Sequence, residues 1–430
     1  MVESISPVRG LHGVVTVPGD KSVSHRFAML TSIAEGESLI HNYSTGADCQ
    51  STLACMQSLG ISHEFKEVDG QRVLAVHGKG IHGLQQAAEQ LDAGNSGSTI
   101  RMLSGILAGQ SFTTRIAGDS SLAKRPMKRV IMPLSQMGAH VEAVEGQFPP
   151  LTIKGSHLKA IDYELPVASA QVKSCILLAG LYADGETIVR EPIVTRDHTE
   201  IALRELGADI TVEPRVVRVR GGAPLAAKTL FVPGDLSSAA FFIVAALIVP
   251  DSEIVLAGVG LNPTRTALLD VLRSMGAAIK LLHIQQLNGE IIGNLEVRTS
   301  RIRGGVIEGA TTAAVIDEIP ILSVLGALSQ DGLVIRDAAE LRVKETDRIK
   351  AIEDNLRRMG VEVRSTESTL EIPGKQKLRG ATIDSFGDHR IAMAFAIAGL
   401  VAEGTTAIQD AEAASVSFPE FYSILKRIAR

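Results

Sequence analysis

One segment type recurs six times along the chain: a polar opening, an apolar helical run rich in small residues, a glycine turn and a strand-like stretch. The copies open with PGDKSVSHR at Pro18, GNSGSTIR at Gly94, ASAQVK at Ala168, PGDLSS at Pro233, DEIP at Asp317 and DHRIAMA at Asp388. An internal period of this kind constrains the fold more than any local signal, because repeated units bury together a core that no single unit buries alone. Between the copies lies a second recurring piece, an amphipathic run closed by glycine. LACMQSLG, IMPLSQMG, IALRELG, VLRSMG and IEDNLRRMG offer Gly60, Gly138, Gly207, Gly276 and Gly360 as helix C-caps, and FYSILKRIAR supplies the sixth run at the C-terminus.

Each unit, at roughly 70 residues with strands and two helices, is an α/β subdomain, and six of them span the whole chain. Three units per domain is the natural division. The first helix of each unit is nearly continuous apolar sequence (FFIVAALIV, SCILLAGLY, RIAMAFAIAGL), and a helix hydrophobic on all sides is a buried one. The expected fold class is therefore α/β, a two-domain inside-out α/β barrel. Each domain holds three βαβαββ-type units, with buried parallel helices and sheets outside. The expected domains are residues 21–233, and residues 1–20 together with 234–430, with crossovers near 19–20 and 234 acting as hinges.

Composition narrows the class of function. With 45% hydrophobic and 21% charged residues no tract reads as disordered. No leader-like N-terminus or apolar span of membrane length is visible, so a cytoplasmic protein is expected with no membrane partner. Cys49, Cys55 and Cys175 lack ligand spacing and read as reduced, buried thiols. A net charge of −5, no Lys/Arg run and no tryptophan argue against a nucleic-acid partner.

Six helices running in one sense bring their N-termini together, and helix N-termini bind anions through unpaired N–H groups and the helix dipole. The openings carry Lys21, Ser22 and Arg26; Asn95, Gly97, Ser98 and Arg101; Ser169, Gln171 and Lys173; Asp317 and Glu318; and Asp388, His389 and Arg390. Ser, Asp and Asn at such positions are also ordinary helix caps. Capping does not account for Lys21, Arg26 or Lys173, whose charge opposes the dipole of the turn they occupy. Other loops add Lys124, Arg125, Arg196, His198, Arg265, Lys344, Glu345 and Arg348, whereas Lys128, Arg129 and Arg357 read as solvated helix faces.

Taken together, GDKSVSHR, GNSGSTIR, KRPM, SAQVK, RDHTE, NPTR, DEIP, LRVKETDR, DHRIAMA and SFPEF resemble the 5-enolpyruvylshikimate-3-phosphate synthase family, in family order from Pro18 to Pro419. The resemblance implies a two-domain inside-out fold. It also implies transfer of an enolpyruvyl group from phosphoenolpyruvate to the 5-hydroxyl of shikimate 3-phosphate, through a tetrahedral addition intermediate. Neither metal nor organic cofactor is implied, and the expected partners are the two small-molecule substrates of a monomer. By motif, Asp317 is the expected base or proton relay at the hydroxyl, Glu345 the acid that protonates the methylene carbon, and Lys21 the bridge between substrates. Phosphoenolpyruvate is expected on Lys21, Gly97, Arg125, Gln171, Arg348 and Arg390. Shikimate 3-phosphate is expected on Lys21, Ser22, Arg26, Ser169, Ala170, Gln171, Arg196, Asp317 and Lys344. Residues from both domains in one site imply closure.

Two departures and two rivals bear on this reading. Many relatives carry Lys where this chain has Val416, which removes one phosphoenolpyruvate contact. SAQVK, RDHTE and NPTR resemble the class II, glyphosate-tolerant subclass, yet Gly97 is the small residue of sensitive members. The sister transferase acting on UDP-N-acetylglucosamine uses a loop cysteine, and none stands near KRPM. A non-catalytic repeat-built scaffold is the other alternative, and Lys21, Asp317, Glu345 and Arg390 weigh against it.

Overall fold

The computed structural model describes residues 1–430, which fold into two compact units. One contains residues 1–18, 234–285 and 291–430; the other contains 19–233 and the short segment 286–290. Gly19 and Asp20, expected with the C-terminal half, thus pack with the N-terminal half, and so does the tip of the hairpin between strands Ala278–Leu287 and Glu290–Arg298.

Within the 19–233 unit each repeat has the same plan. The second reads strand Leu91–Asp92, helix Gly97–Ala108, strand Thr113–Ala117, helix Lys128–Gln136, strands His140–Val144 and Phe148–Lys154. Its ladder runs parallel between the first two strands and antiparallel through the hairpin. Asp162–Glu164 opens the third repeat with the same parallel-then-antiparallel pattern. The first repeat takes its opening strand, Thr229–Phe231, from the far end of the unit.

The other unit repeats the plan with a complementary loan. His12–Thr16 pairs parallel with Glu253–Gly260, and Val2–Ile5 closes the last repeat antiparallel to Thr406–Gln409. The strands form seven separate sheets. The chain is the mixed α/β protein the repeats predicted, with helices and sheets interleaved. No helix is long and apolar enough to cross a membrane.

The helices Lys21–Ser32, Gly97–Ala108 and Ala170–Gly180 form the centre of one core, and Leu236–Ile248, Ile319–Leu328 and His389–Gly399 that of the other. Leu236–Ile248 is buried over twelve consecutive residues from Leu236 to Leu247. Phe242 within it is fully buried, its ring centroid 5.8 Å from Phe418 and 5.5 Å from Phe421. Truncation of such a ring to Ala costs about 3–5 kcal/mol.

The second helix of each repeat is half exposed, as its pattern required. Gly60, Gly138, Gly207, Gly276 and Gly360 all lie just past helix ends with φ between 80° and 102°, the left-handed cap only glycine adopts without strain.

The two Pro-Gly-Asp sequences have matching local roles. In one unit Asp20 N–H donates to the Pro233 carbonyl at 2.7 Å; in the other Asp235 N–H donates to the Pro18 carbonyl at 2.9 Å. A Cβ at Gly19 would overlap the Asn42 carbonyl oxygen, so this turn admits glycine alone. Asp20 and Asp235 then cap the helices that follow, accepting from Val23 N–H and Ser237 N–H.

Candidate active site

In the 19–233 unit the cations of the helix openings are held by short polar networks. Lys21 Nζ donates to Asp48 Oδ2 at 2.9 Å, a partner from the first turn of helix Ala47–Ser58 that sequence reasoning missed. Arg26, only 3% exposed, donates from Nε to Thr199 Oγ1 (2.6 Å), from Nη2 to Ser174 Oγ (2.8 Å) and from Nη1 to the Ser22 carbonyl (2.8 Å). Burial pushes its pKa down to about 10; Glu200 and Asp20 oppose that shift and Arg196 adds to it, so the group stays charged at neutral pH.

The opening of helix Gly97–Ala108 carries a second cationic pair. Arg125 donates from Nη2 to Asn95 Oδ1 at 2.8 Å, and Arg101 Nη1 donates to Gln171 Oε1 at 2.7 Å. Gln171 in turn donates to Ser98 Oγ at 2.9 Å. A Cβ on Gly97 would come 3.0 Å from Arg101 Nη1 and 3.5 Å from Arg125 Nη1, so both guanidinium groups approach the backbone there. Arg101 thus joins the expected Gly97, Arg125 and Gln171. Ser169 caps its helix, its Oγ accepting from Val172 N–H at 3.4 Å, and Ala170 begins that helix. Arg196 is half-buried in the loop before helix His198–Glu205.

Lys173 departs from expectation. Its charge in a helix opening predicts a bound anion, but the side chain is 1% exposed and meets two internal carboxylates, Glu191 at 3.0 Å and Glu200 at 2.6 Å. Lys128, Arg129 and Arg357 are exposed, as solvated helix faces should be.

In the other unit the centre is Arg348, 1% exposed, at the start of helix Arg348–Arg358. Its Nε donates to Asp388 Oδ2 at 2.7 Å, Nη2 to Glu345 Oε2 at 2.6 Å, and Nη1 reaches Asp317 Oδ1 at 3.4 Å. Burial alone would lower its pKa, but Asp388, Glu345 and Asp317 outweigh it and hold the group above its ordinary value. Arg348, expected as a phosphoenolpyruvate contact, is engaged here by three carboxylates. Lys344 Nζ stands 3.9 Å from Asp317 Oδ1, and Arg390 donates to the Asp317 carbonyl at 2.8 Å. Asp388 caps its helix through Arg390 N–H. Asp317 does not cap: Glu318 holds that position in the helix and makes no side-chain capping bond.

All three cysteines are buried; burial raises the thiol of Cys55 to about 12 and those of Cys49 and Cys175 well above the ordinary range. None is poised as an acid or nucleophile at neutral pH.

These two polar clusters sit in a chain that matches, over residues 5–425, the family model described as EPSP synthase (3-phosphoshikimate 1-carboxyvinyltransferase). It is 60% identical over 430 residues to the 3-phosphoshikimate 1-carboxyvinyltransferase of Solibacter usitatus, covering 100% of each chain. The protein of the same name from Koribacter versatilis is 50% identical over 425 residues, covering 99% of this chain and 98% of its own. Among solved structures, EPSP synthase from Acinetobacter baumannii superposes with a TM-score of 0.88 at 41% identity, over 100% of this chain and 98% of that one. The enolpyruvyl transferase NikO from Streptomyces tendae shares the fold, with a TM-score of 0.78 at 16% identity over 99% of this chain and 97% of that one. The chain belongs to the EPSP synthase family.

Proposed function

We propose that the protein transfers the enolpyruvyl group of phosphoenolpyruvate to the 5-hydroxyl of shikimate 3-phosphate, releasing inorganic phosphate. The observation that carries this reading is the placement of Asp317 and Glu345 on one buried guanidinium with Lys344 and Arg390 beside Asp317, in a chain of this family. The addition needs a base on the hydroxyl, an acid for the methylene carbon and cations for phosphates and carboxylates.

Asp317 takes the proton of the 5-hydroxyl as its oxygen bonds to the central carbon of phosphoenolpyruvate, and Glu345 supplies the proton that makes the methylene a methyl. Elimination then breaks the bond between the central carbon and the phosphate oxygen: the phosphate leaves with the proton that Asp317 had taken up, and a methyl proton returns to Glu345, regenerating the double bond.

Phosphoenolpyruvate is held by Lys21, the backbone at Gly97, Arg125, Gln171, Arg348 and Arg390, the guanidinium forks matching its carboxylate and phosphate. For Arg348 this requires one of its present ion pairs to open. Shikimate 3-phosphate is held by Lys21, Ser22, Arg26, Ser169, Ala170, Gln171, Arg196, Asp317 and Lys344. The enzyme works as a cytoplasmic monomer.

Phosphate release tests the reading, with shikimate 3-phosphate and phosphoenolpyruvate in one tube and UDP-N-acetylglucosamine replacing the shikimate ester in another. Release in the first tube alone is expected; release only with the UDP sugar, or none in either, would reject it. Glyphosate is expected to compete weakly against phosphoenolpyruvate, and strong competition at low micromolar concentration would remove the tolerant subclass.

A further inference from the structure

No residue of the NPTR sequence has a role in the assignments above, yet its arginine is 6% exposed and reaches the openings of helices Leu236–Ile248 and Ile319–Leu328, where Glu318 also faces Arg390. Its position is set by a local turn: Asn262 Oδ1 accepts from Thr264 N–H at 2.9 Å, and the Asn262 carbonyl accepts from Arg265 N–H at 2.8 Å. From that turn Arg265 Nη2 donates to Ser237 Oγ in the first turn of helix Leu236–Ile248. Ser237 Oγ lies 2.5 Å from Glu318 Oε1.

Glu318, 4% exposed, is thereby placed among two guanidinium groups: Oε1 is 3.9 Å from Arg265 Nη2 and 3.8 Å from Arg390 Nη1. Arg390 is fixed on its other side by the Asp317 carbonyl at 2.8 Å. At these separations the two arginines share one carboxylate as ion pairs rather than by direct hydrogen bonds, so the charge on Glu318 is divided between them.

We infer that Arg265 is a positioning residue for substrate binding: by neutralising Glu318 it leaves the outer face of the Arg390 guanidinium available to an anion. This rests on the reading of Arg390 as a phosphoenolpyruvate contact. Without Arg265, Glu318 is a buried carboxylate with one cation left nearby, and it draws Arg390 in. The substrate then competes with an internal anion for the same guanidinium. Shikimate 3-phosphate, which is not assigned to Arg390, is unaffected.

The test is steady-state kinetics on the full-length protein, with KM measured separately for each substrate and folding checked by thermal melting. Arg265→Met is expected to raise the phosphoenolpyruvate KM by about tenfold or more while the shikimate 3-phosphate KM stays within about twofold. Adding Glu318→Gln to Arg265→Met is expected to recover most of that loss, which repair of a merely structural defect would not do. An unchanged phosphoenolpyruvate KM in Arg265→Met, or a double variant no better than the single, would overturn the inference. Where Arg265→Met does not fold, Arg265→Lys and Arg265→Gln replace it. A phosphoenolpyruvate KM about tenfold lower for the Lys variant supports the inference, and equal values reject it. Arg390→Gln reports on the underlying reading: an unchanged phosphoenolpyruvate KM there would reject the reading and the inference together. A raised value there beside wild-type behaviour in Arg265→Met rejects the inference alone.

Discussion

Glu345 Oε2 lies 2.6 Å from Arg348 Nη2, and the same guanidinium reaches Asp317 Oδ1 at 3.4 Å. The proposed acid and the proposed base are thus oriented by one cation, which is itself anchored by Asp388, a fully buried carboxylate. Such an arrangement separates chemistry from stability. Glu345→Gln and Asp317→Asn keep the hydrogen-bonding shape and remove proton transfer, so each is expected to lower kcat by about 10²–10⁴-fold with a nearly unchanged melting temperature. Arg348→Met leaves Asp388 buried without its partner and is expected to cost about 3–5 kcal/mol of stability in addition to activity. Rate measurements and thermal melts on the three variants check the division; wild-type kcat in both carboxylate variants would remove them from the chemistry.

Lys173 makes the opposite kind of contribution, to stability rather than to ligand binding. It neutralises Glu191 and Glu200 where all three are nearly inaccessible, and burial still holds the Glu200 carboxyl above its ordinary value despite Lys173. Lys173→Met strands two buried carboxylates and is expected to destabilise the unit by about 3–5 kcal/mol. Adding Glu200→Gln removes one of the stranded charges and is expected to return part of the loss. Denaturant melts of the single and double variants provide the check, and additive losses would contradict the shared-charge account.

The contrast between Lys173 and Arg348 shows where sequence reading stops. The six buried helices were legible because each is apolar on every face, and the C-terminal glycines because a left-handed cap has few alternatives. The cations at helix openings were legible too, since lysine or arginine there works against the dipole. What meets each cation was not. Glu191 follows a strand, Glu200 lies in the first turn of a separate helix, and Asp48 in that of another, so only the assembled core brings them to Lys173 and Lys21. The exchange of strands Val2–Ile5, His12–Thr16 and Thr229–Phe231 between distant repeats was invisible for the same reason: pairing across the chain leaves no local period.

Asp48 tests the Lys21 assignment from outside the ligand set. Its carboxylate holds Lys21 Nζ at 2.9 Å with both side chains largely shielded, 8% and 19% exposed respectively. Lys21→Met is expected to abolish measurable turnover, since it removes the bridge proposed for both substrates. Asp48→Asn keeps an acceptor but loses the charge, and is expected to raise both KM values by about tenfold while kcat falls less. Substrate-specific KM measurements decide the matter: a rise confined to one substrate would limit Lys21 to that substrate.

His25 gives the same helix a pH response. It is fully buried, with Nδ1 2.7 Å from Thr52 Oγ1 and Nε2 enclosed without a hydrogen-bond partner. Burial first, then the charges of Lys21 and Arg26, hold its pKa well below 6.5, with Asp20 opposing. The unfolded chain therefore takes up this proton before the folded chain does. The contribution of His25 to stability is complete above pH 6.5 and is lost as pH falls from there toward the depressed folded value, at a limiting slope of about 1.4 kcal/mol per pH unit. His25→Leu removes the titration, so lowering the pH from 7.5 to 5.5 should lower the melting temperature of wild type more than that of the variant. The raised carboxyl of Glu200 has the opposite sign, stabilising at low pH and losing that contribution as pH rises, but it is common to both proteins and cancels in the difference. Parallel melting curves across this range would mean that His25 does not titrate differently in the folded and unfolded chains.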